Sequence, residues 1–256
     1  MNNFDFQNPT RILFGEGRVA DLDDQVPTDA RVLVLYGGQS AQRNGTLDEV
    51  RAALGKRDVV EFGGIEANPR FATLMRAVEL ARTEKVDFLL AVGGGSVIDG
   101  TKFVAAAIPF DGDTWSILTE RGTNVTAAVQ FGTVLTLPAT GSEMNHGSVV
   151  TNDALKAKLA FMSPHVYPAF SVLDPTKTYS LPQRQLANGV ADAFVHIIEQ
   201  YLTYPVDAMV QDRFAEGLLQ TLIELAPRLK EDDHDYAARA NFMWTTTWAL
   251  NGMIGA

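Results

Sequence analysis

The sequence predicts an α/β domain with a largely parallel sheet, followed by an all-helical domain, and three observations carry that prediction. Short β-branched or apolar runs alternate with helical patterns up to about residue 180, and glycine-rich or small polar motifs follow directly after those runs. From Leu181 onward helical spacing continues with no convincing strand between. Alternation of this kind covers both faces of a parallel sheet with helices, and such sheets bind ligands beyond the carboxyl ends of their strands. We therefore expect one domain over 1–180 and the start of a second over 181–256.

In chain order, the expected strands are RVLVLY from Arg31, DVVEF from Asp58, VDFLLAV from Val86, TVLTL from Thr133 and FSVL from Phe170. Helical patterns lie between them at Thr46–Leu54, Pro69–Thr83 and Val97–Ala107. Pro182 is suited to open a helix, and apolar residues at helical spacing run over Gln183–Leu202, Val206–Leu225 and Tyr236–Met253. The final stretch, WTTTWALNGMIGA, stops in apolar, glycine-containing sequence without a charged last turn, so we expect the helical domain to be incomplete in this chain.

Composition narrows the function classes. With a formal charge of −10, nucleic acid and anionic membrane surfaces are poor general partners, although a small polyanion can still be met by local cations. The absence of cysteine removes disulfides, thiolate metal sites and a cysteine nucleophile together, and fits a cytoplasmic protein. No apolar run reaches the ~18 residues of a membrane span, and MNNFDFQNPTRILFG lacks the pattern of a signal peptide.

The most informative segment is FLLAVGGGSVIDGTKF, Phe88 to Phe103. An apolar strand runs into Gly93-Gly94-Gly95-Ser96 and then into a helix, which is where a phosphate would sit: glycines allow a sharp turn and close approach, and Ser96 can cap the helix. By itself this segment reads equally well as a flexible connection, since it lacks the GxGxxG spacing. After TVLTL, the segment TLPATGSEMNHGS offers Thr136, Thr140, Ser142 and Asn145, small hydrogen-bonding groups that can surround ribose or phosphate or simply form a polar turn. Lys158 is a candidate counter-charge, and Asn68-Pro69 follows the Gly63-Gly64 turn. In Gly37-Gly38-Gln39-Ser40 no acid is available for a ribose 2′-hydroxyl, while Ser40 and Arg43 offer donors, so NADP fits better than NAD. Asp192 and His196 are four apart in NGVADAFVHIIEQY, so on a helix they share a face and can converge on a cation; an Asp–His hydrogen bond is the simpler reading of that spacing alone. Ser142 lies in GSE rather than GxSxG, which argues against a serine hydrolase.

Taken together and in order, NPTRILFGEG, YGGQS, EFGGIEANP, AVGGGSVIDGTKF, TLPATGSE, VLDP, LPQRQLANGVADAFVHIIEQY and DRFAEGLLQTL resemble the iron-containing (group III) alcohol dehydrogenase family, closest to its broad-specificity NADPH-dependent aldehyde reductases. The resemblance implies an N-terminal α/β domain for the nucleotide, a helical domain for a divalent metal, iron or zinc, and a small aldehyde or alcohol substrate in the cleft between them. It implies that Gly37, Gly38 and Ser40 address the adenosine 2′-phosphate and that Gly94, Gly95 and Ser96 address the pyrophosphate. Asn68, Asp99, Thr136, Thr140, Ser142, Asn145, Gly147, Lys158 and Leu173 would complete the cofactor surroundings. Asp192 and His196 correspond to the first two metal ligands. The family takes two further histidines from downstream, and this chain stops before the region expected to supply them. The implied reaction is reversible reduction of aldehydes with NADPH. Alternatives are a glycerol-dehydrogenase-like oxidoreductase or a nucleotide-binding fragment without turnover, and a homodimer is left open.

Overall fold

The computed structural model describes residues 2–255. In chain order the elements are β1 (Arg11–Phe14), α1 (Leu22–Gln25), β2 (Arg31–Tyr36), α2 (Ser40–Arg43), α3 (Thr46–Leu54), β3 (Asp58–Phe62), α4 (Phe71–Thr83), β4 (Phe88–Gly94), α5 (Gly95–Ala107), α6 (Ser116–Thr119) and β5 (Gln130–Leu137). They continue with β6 (Gly147–Asn152), β7 (Ala157–Met162), β8 (Phe170–Leu173), α7 (Gln183–Tyr201), α8 (Met209–Glu231) and α9 (Tyr236–Ala249). Six strands form one sheet in the order β1-β8-β5-β4-β2-β3, every pairing parallel, and β6 and β7 form a separate antiparallel hairpin.

The near-continuous apolar strands have a direct cause: both faces of the large sheet are buried. Successive side chains point to opposite faces, so Leu33 and Leu35 of β2 join one core with Leu74 and Val78 of α4 and Ile98 and Phe103 of α5. Val32 and Val34 join the other, with Leu22 of α1 and Leu47, Val50 and Leu54 of α3. A third core, with Leu186, Ala193, Ile197, Ala215, Leu222 and Phe242, holds α7, α8 and α9 together as a helical domain. No helix among the described residues is long and apolar enough to cross a membrane.

Four features depart from the sequence reading. β1 and the β6–β7 hairpin were not anticipated. β1 is a short edge strand paired only with β8, and the hairpin uses mixed polar and apolar residues. Helix α4 starts at Phe71 rather than Pro69, because Arg70 is extended and bridges to Thr151, whose N–H donates to the Pro69 carbonyl at 2.9 Å. Helix α8 continues past the expected end at Leu225 and through Pro227, since Leu225 and Leu229, one turn apart, are both buried in the helical core.

Candidate functional site

The passage from β4 to α5 has no connecting residues: the strand ends at Gly94 and the helix begins at Gly95. Gly94 has φ −91° and ψ −171°, an extended conformation open to any residue, so backbone freedom is not what requires glycine there. Space is what requires it. An added Cβ would lie 2.6 Å from Val97 Cγ2 at Gly93, 3.0 Å from Leu137 Cβ at Gly94 and 2.4 Å from Thr140 Oγ1 at Gly95. The glycines therefore draw α5 tightly onto β5 and the loop after it. Ser96 does not cap α5 as the sequence suggested. It lies inside the first turn, where its hydroxyl accepts from the Asn68 N–H at 3.2 Å, because the helix starts one residue before it with Gly94 at the cap position. No side-chain hydrogen bond caps α5, which leaves the first amides of a 13-residue helix facing the carboxyl edge of the sheet. Such an end suits a phosphate group.

The neighbouring strand ends converge on that edge. Gly37, after β2, backs onto α5, since a Cβ there would be 3.4 Å from Val97 Cγ2; a Cβ at Gly38 would meet nothing within 4 Å. The Gly64 N–H donates to the Gly37 carbonyl at 2.8 Å, joining the ends of β2 and β3. Ser40 opens α2 and is exposed. Asn68, at φ 59°, accepts from Lys158 Nζ of β7 at 2.7 Å. Thr136 is half-buried near the end of β5, and the Thr140 hydroxyl accepts from the Ser142 N–H at 3.3 Å. Leu173 stands apart: its side chain lies in the apolar core and its carbonyl accepts from the Gly15 N–H at 3.0 Å.

Beneath this edge lies a polar network that the sequence reading only partly found. Lys102 of α5, fully buried, donates to Ser142 Oγ at 2.9 Å, Asn145 Oδ1 at 2.8 Å and the Gly147 carbonyl at 2.9 Å. Ser142 Oγ donates to Asp99 Oδ1 at 2.6 Å, and the Val149 N–H donates to Asp99 Oδ2 at 3.0 Å. Asn145 Nδ2 reaches the Leu250 carbonyl at 2.9 Å, just beyond α9. Glu143, also buried, accepts from Thr247 Oγ1 of α9 at 2.6 Å. Burial pushes the Asp99 and Glu143 carboxyls above their ordinary values, while burial pushes Lys102 down to about 8 against the opposing pull of both acids. Lys102, Glu143 and Thr247 were missed. A lysine one turn after Asp99 in an otherwise apolar helix was the available signal for Lys102.

Asp192 and His196 sit one turn apart on α7, with His196 Nε2 3.6 Å from Asp192 Oδ2. The neighbouring Asp192 carboxylate raises the His196 imidazole above its ordinary value. One turn earlier Gly189 packs against the loop after β5, where a Cβ would lie 2.7 Å from the Pro138 carbonyl oxygen. This contact sets the metal-ligand candidates beside the loop that flanks the α5 terminus. A carboxylate and an imidazole suit iron or zinc. They make half a donor set, and among the described residues no group of three or more His, Cys, Asp or Glu side chains is placed to hold a metal.

Comparison with known proteins identifies the chain's relatives. The family model for iron-containing alcohol dehydrogenase matches residues 9–175, and the C-terminal model of the Fe-containing alcohol dehydrogenase family matches residues 186–255. The chain is 58% identical to the NADPH-dependent aldehyde reductase YqhD of Escherichia coli over all of its own length and 67% of that protein's. It is 46% identical to the probable NADH-dependent butanol dehydrogenase 1 of Bacillus subtilis, covering 99% of this chain and 66% of the relative. Among solved structures, that of E. coli YqhD superposes with a TM-score of 0.98 at 57% identity, covering 100% of this chain and 66% of that one. An NADH-dependent butanol dehydrogenase A from Thermotoga maritima gives 0.94 at 39% identity, covering 99% and 64% respectively. The chain thus spans about two thirds of the length of these relatives. It belongs to the iron-containing alcohol dehydrogenase family.

Proposed function

We propose that the protein reduces small aldehydes to primary alcohols with NADPH, reversibly and with a divalent metal, iron or zinc, in the cytoplasm. In this reading residues 1–180 carry the nucleotide site and the segment from 181 carries the metal pair. The observation that supports it most directly is the loop 138–147. One side of it packs against the uncapped start of α5, and the other receives α7 at Gly189, one turn before Asp192. A dinucleotide and a metal would therefore lie on either side of a single loop.

When bound, the nicotinamide supplies hydride and the metal polarises the carbonyl oxygen on which negative charge develops. The first amides of α5 take the pyrophosphate, with Gly94, Gly95 and Ser96 around it. Gly37, Gly38 and Ser40 take the adenosine end. The turn lacks an acid, which favours the 2′-phosphate of NADPH over a bare 2′-hydroxyl. Asn68 and Lys158 bring a cation to the rim, while Asp99, Thr136, Thr140, Ser142, Asn145 and Gly147 line the side nearer the helical domain. Asp192 lowers the net charge of the metal site, its carboxylate standing 3.6 Å from the His196 imidazole.

The decisive experiment is metal-dependent aldehyde reduction by the protein carried to the full length of its relatives. Chelation should abolish turnover and readdition of metal should restore it, while His196→Ala should lose both metal and activity. Reduction that survives complete metal removal refutes the mechanism. The two-donor metal set also supports a second reading, a nucleotide-binding module without turnover. NADPH binding with no metal-dependent oxidation of NADPH by any length of the chain would favour it.

A further inference from the structure

Lys102 is fully buried, yet no carboxylate touches it. Its three N–H donors are matched one to one by Ser142 Oγ, Asn145 Oδ1 and the Gly147 carbonyl, which saturates an ammonium group and leaves nothing over. All three acceptors lie in the segment that leads from the loop after β5 into β6. Two of them pass the hold onward. Ser142 directs its own hydrogen to Asp99, and Asn145 turns its amide to the Leu250 carbonyl beyond α9. We propose that Lys102 is the positioning residue of the cofactor cradle: through Ser142 and Asn145 its ammonium fixes the Asp99 carboxylate and the 140–147 loop, and the cradle is competent only while that ammonium keeps its third proton.

A neutral amine has two hydrogens for three acceptors. It would lose one of the three contacts that hold the loop and would remove the positive charge that offsets Asp99 and Glu143. The charged groups around it are consistent with one titration. Asp99 faces it from its own helix, Glu143 and His146 from the loop, and Lys158 of β7 acts on the Asp99 end. β4, β5 and β6 bring no titratable side chain, Arg82 of α4 binds carbonyls at the far end of α5, and His165 is exposed. Burial lowers His146, so it titrates below the window in which Lys102 does.

The inference rests on the dinucleotide reading above, and one titration tests both. NADPH affinity is measured between pH 7 and pH 9 by fluorescence of the bound nicotinamide. With Lys102 titrating at about 8, the competent fraction falls to roughly one tenth at pH 9, so Kd should weaken about tenfold. Lys102→Met should bind more weakly at pH 7 and lose the pH dependence. Ser142→Ala keeps the ammonium but removes one acceptor and the link to Asp99, so it should move the midpoint downward; it serves as the test if circular dichroism shows that Lys102→Met does not fold. A flat parent profile, an unchanged profile in Lys102→Met, or an unmoved midpoint in Ser142→Ala overturns the role of Lys102 while NADPH binding itself stands. Absence of NADPH binding at every pH overturns the dinucleotide reading and this inference with it.

Discussion

Two glycines within helices separate close packing from helix propensity. Gly189 of α7 is buried, and a Cβ there would lie 2.7 Å from the Pro138 carbonyl oxygen and 3.2 Å from Phe242 Cζ. Gly217 of α8 is exposed, and a Cβ there would meet nothing within 4 Å. In Gly217→Ala only propensity changes, which gains roughly 0.8–1.0 kcal/mol. Gly189→Ala has the same gain but must push α7 away from a backbone oxygen by about 0.7 Å to reach ordinary contact, and overpacking of this kind costs about 1–3 kcal/mol. Its net effect is a loss of about 1 kcal/mol. For a chain of this size 1 kcal/mol moves Tm by about 2–4 °C. Thermal unfolding followed by circular dichroism should therefore show Gly217→Ala above the parent and Gly189→Ala below it, roughly 4–8 °C apart. A Tm gain in Gly189→Ala would show that α7 is not held against the loop by close contact. The proposed link between the helix bearing Asp192 and the loop beside the α5 terminus would then fail.

Other outcomes follow from the site. Ser40→Asp places a charge near the proposed 2′-phosphate, and at about 4 Å in high dielectric each charge pair costs about 1 kcal/mol. The preference for NADPH over NADH should drop about tenfold in paired Kd measurements, and an equal effect on both cofactors would place the adenosine elsewhere. Gly94→Val sets a branched side chain against Leu137 and tilts the start of α5, so NADPH binding should weaken even in folded protein; undiminished affinity there would refute the phosphate assignment. Glu143→Gln tests a buried acid whose folded value is raised. A raised carboxyl contributes stability below its unfolded value and loses it as pH rises through its folded value. The Tm of the parent should therefore decline relative to Glu143→Gln as pH climbs from about 5 toward neutrality, and parallel Tm profiles would contradict this.

Legibility differed between element types for physical reasons. β2, β3, β8 and α3 match the sequence reading residue for residue: β2 and β8 are largely buried, edge strand β3 still carries the β-branched run DVVEF, and α3 buries one apolar face. β1 escaped notice because four residues at a sheet edge, only one of them buried, carry too little pattern. The β6–β7 hairpin was not read as strands, and only Gly147 and Lys158 were singled out in it, although Ser148 and Val150 alternate into the interior as strand residues do. At the site, glycines and small polar residues were visible as types. What they do was less so: Gly93, Gly94 and Gly95 answer to Val97, Leu137 and Thr140, partners from other segments in two of three cases. Lys102 passed as an ordinary helical lysine because its three acceptors lie 40 to 45 residues downstream.

The direct passage from β4 into α5 gives the proposed site two halves of unequal stiffness. Where no residue intervenes between strand and helix, the direction of the first amides is inherited from the sheet, with Val92 and Gly93 buried behind them and β2 and β5 paired on either side. The turn after β2 is different: Gly38, Gln39 and Ser40 are exposed, and a Cβ at Gly38 would point into open space. Side chains can be exchanged there without disturbing the core. A lineage could thus change the nucleotide it prefers by editing the loose turn while the rigid one stayed as it was, and relatives of this chain carry names of both kinds, NADPH-dependent and NADH-dependent.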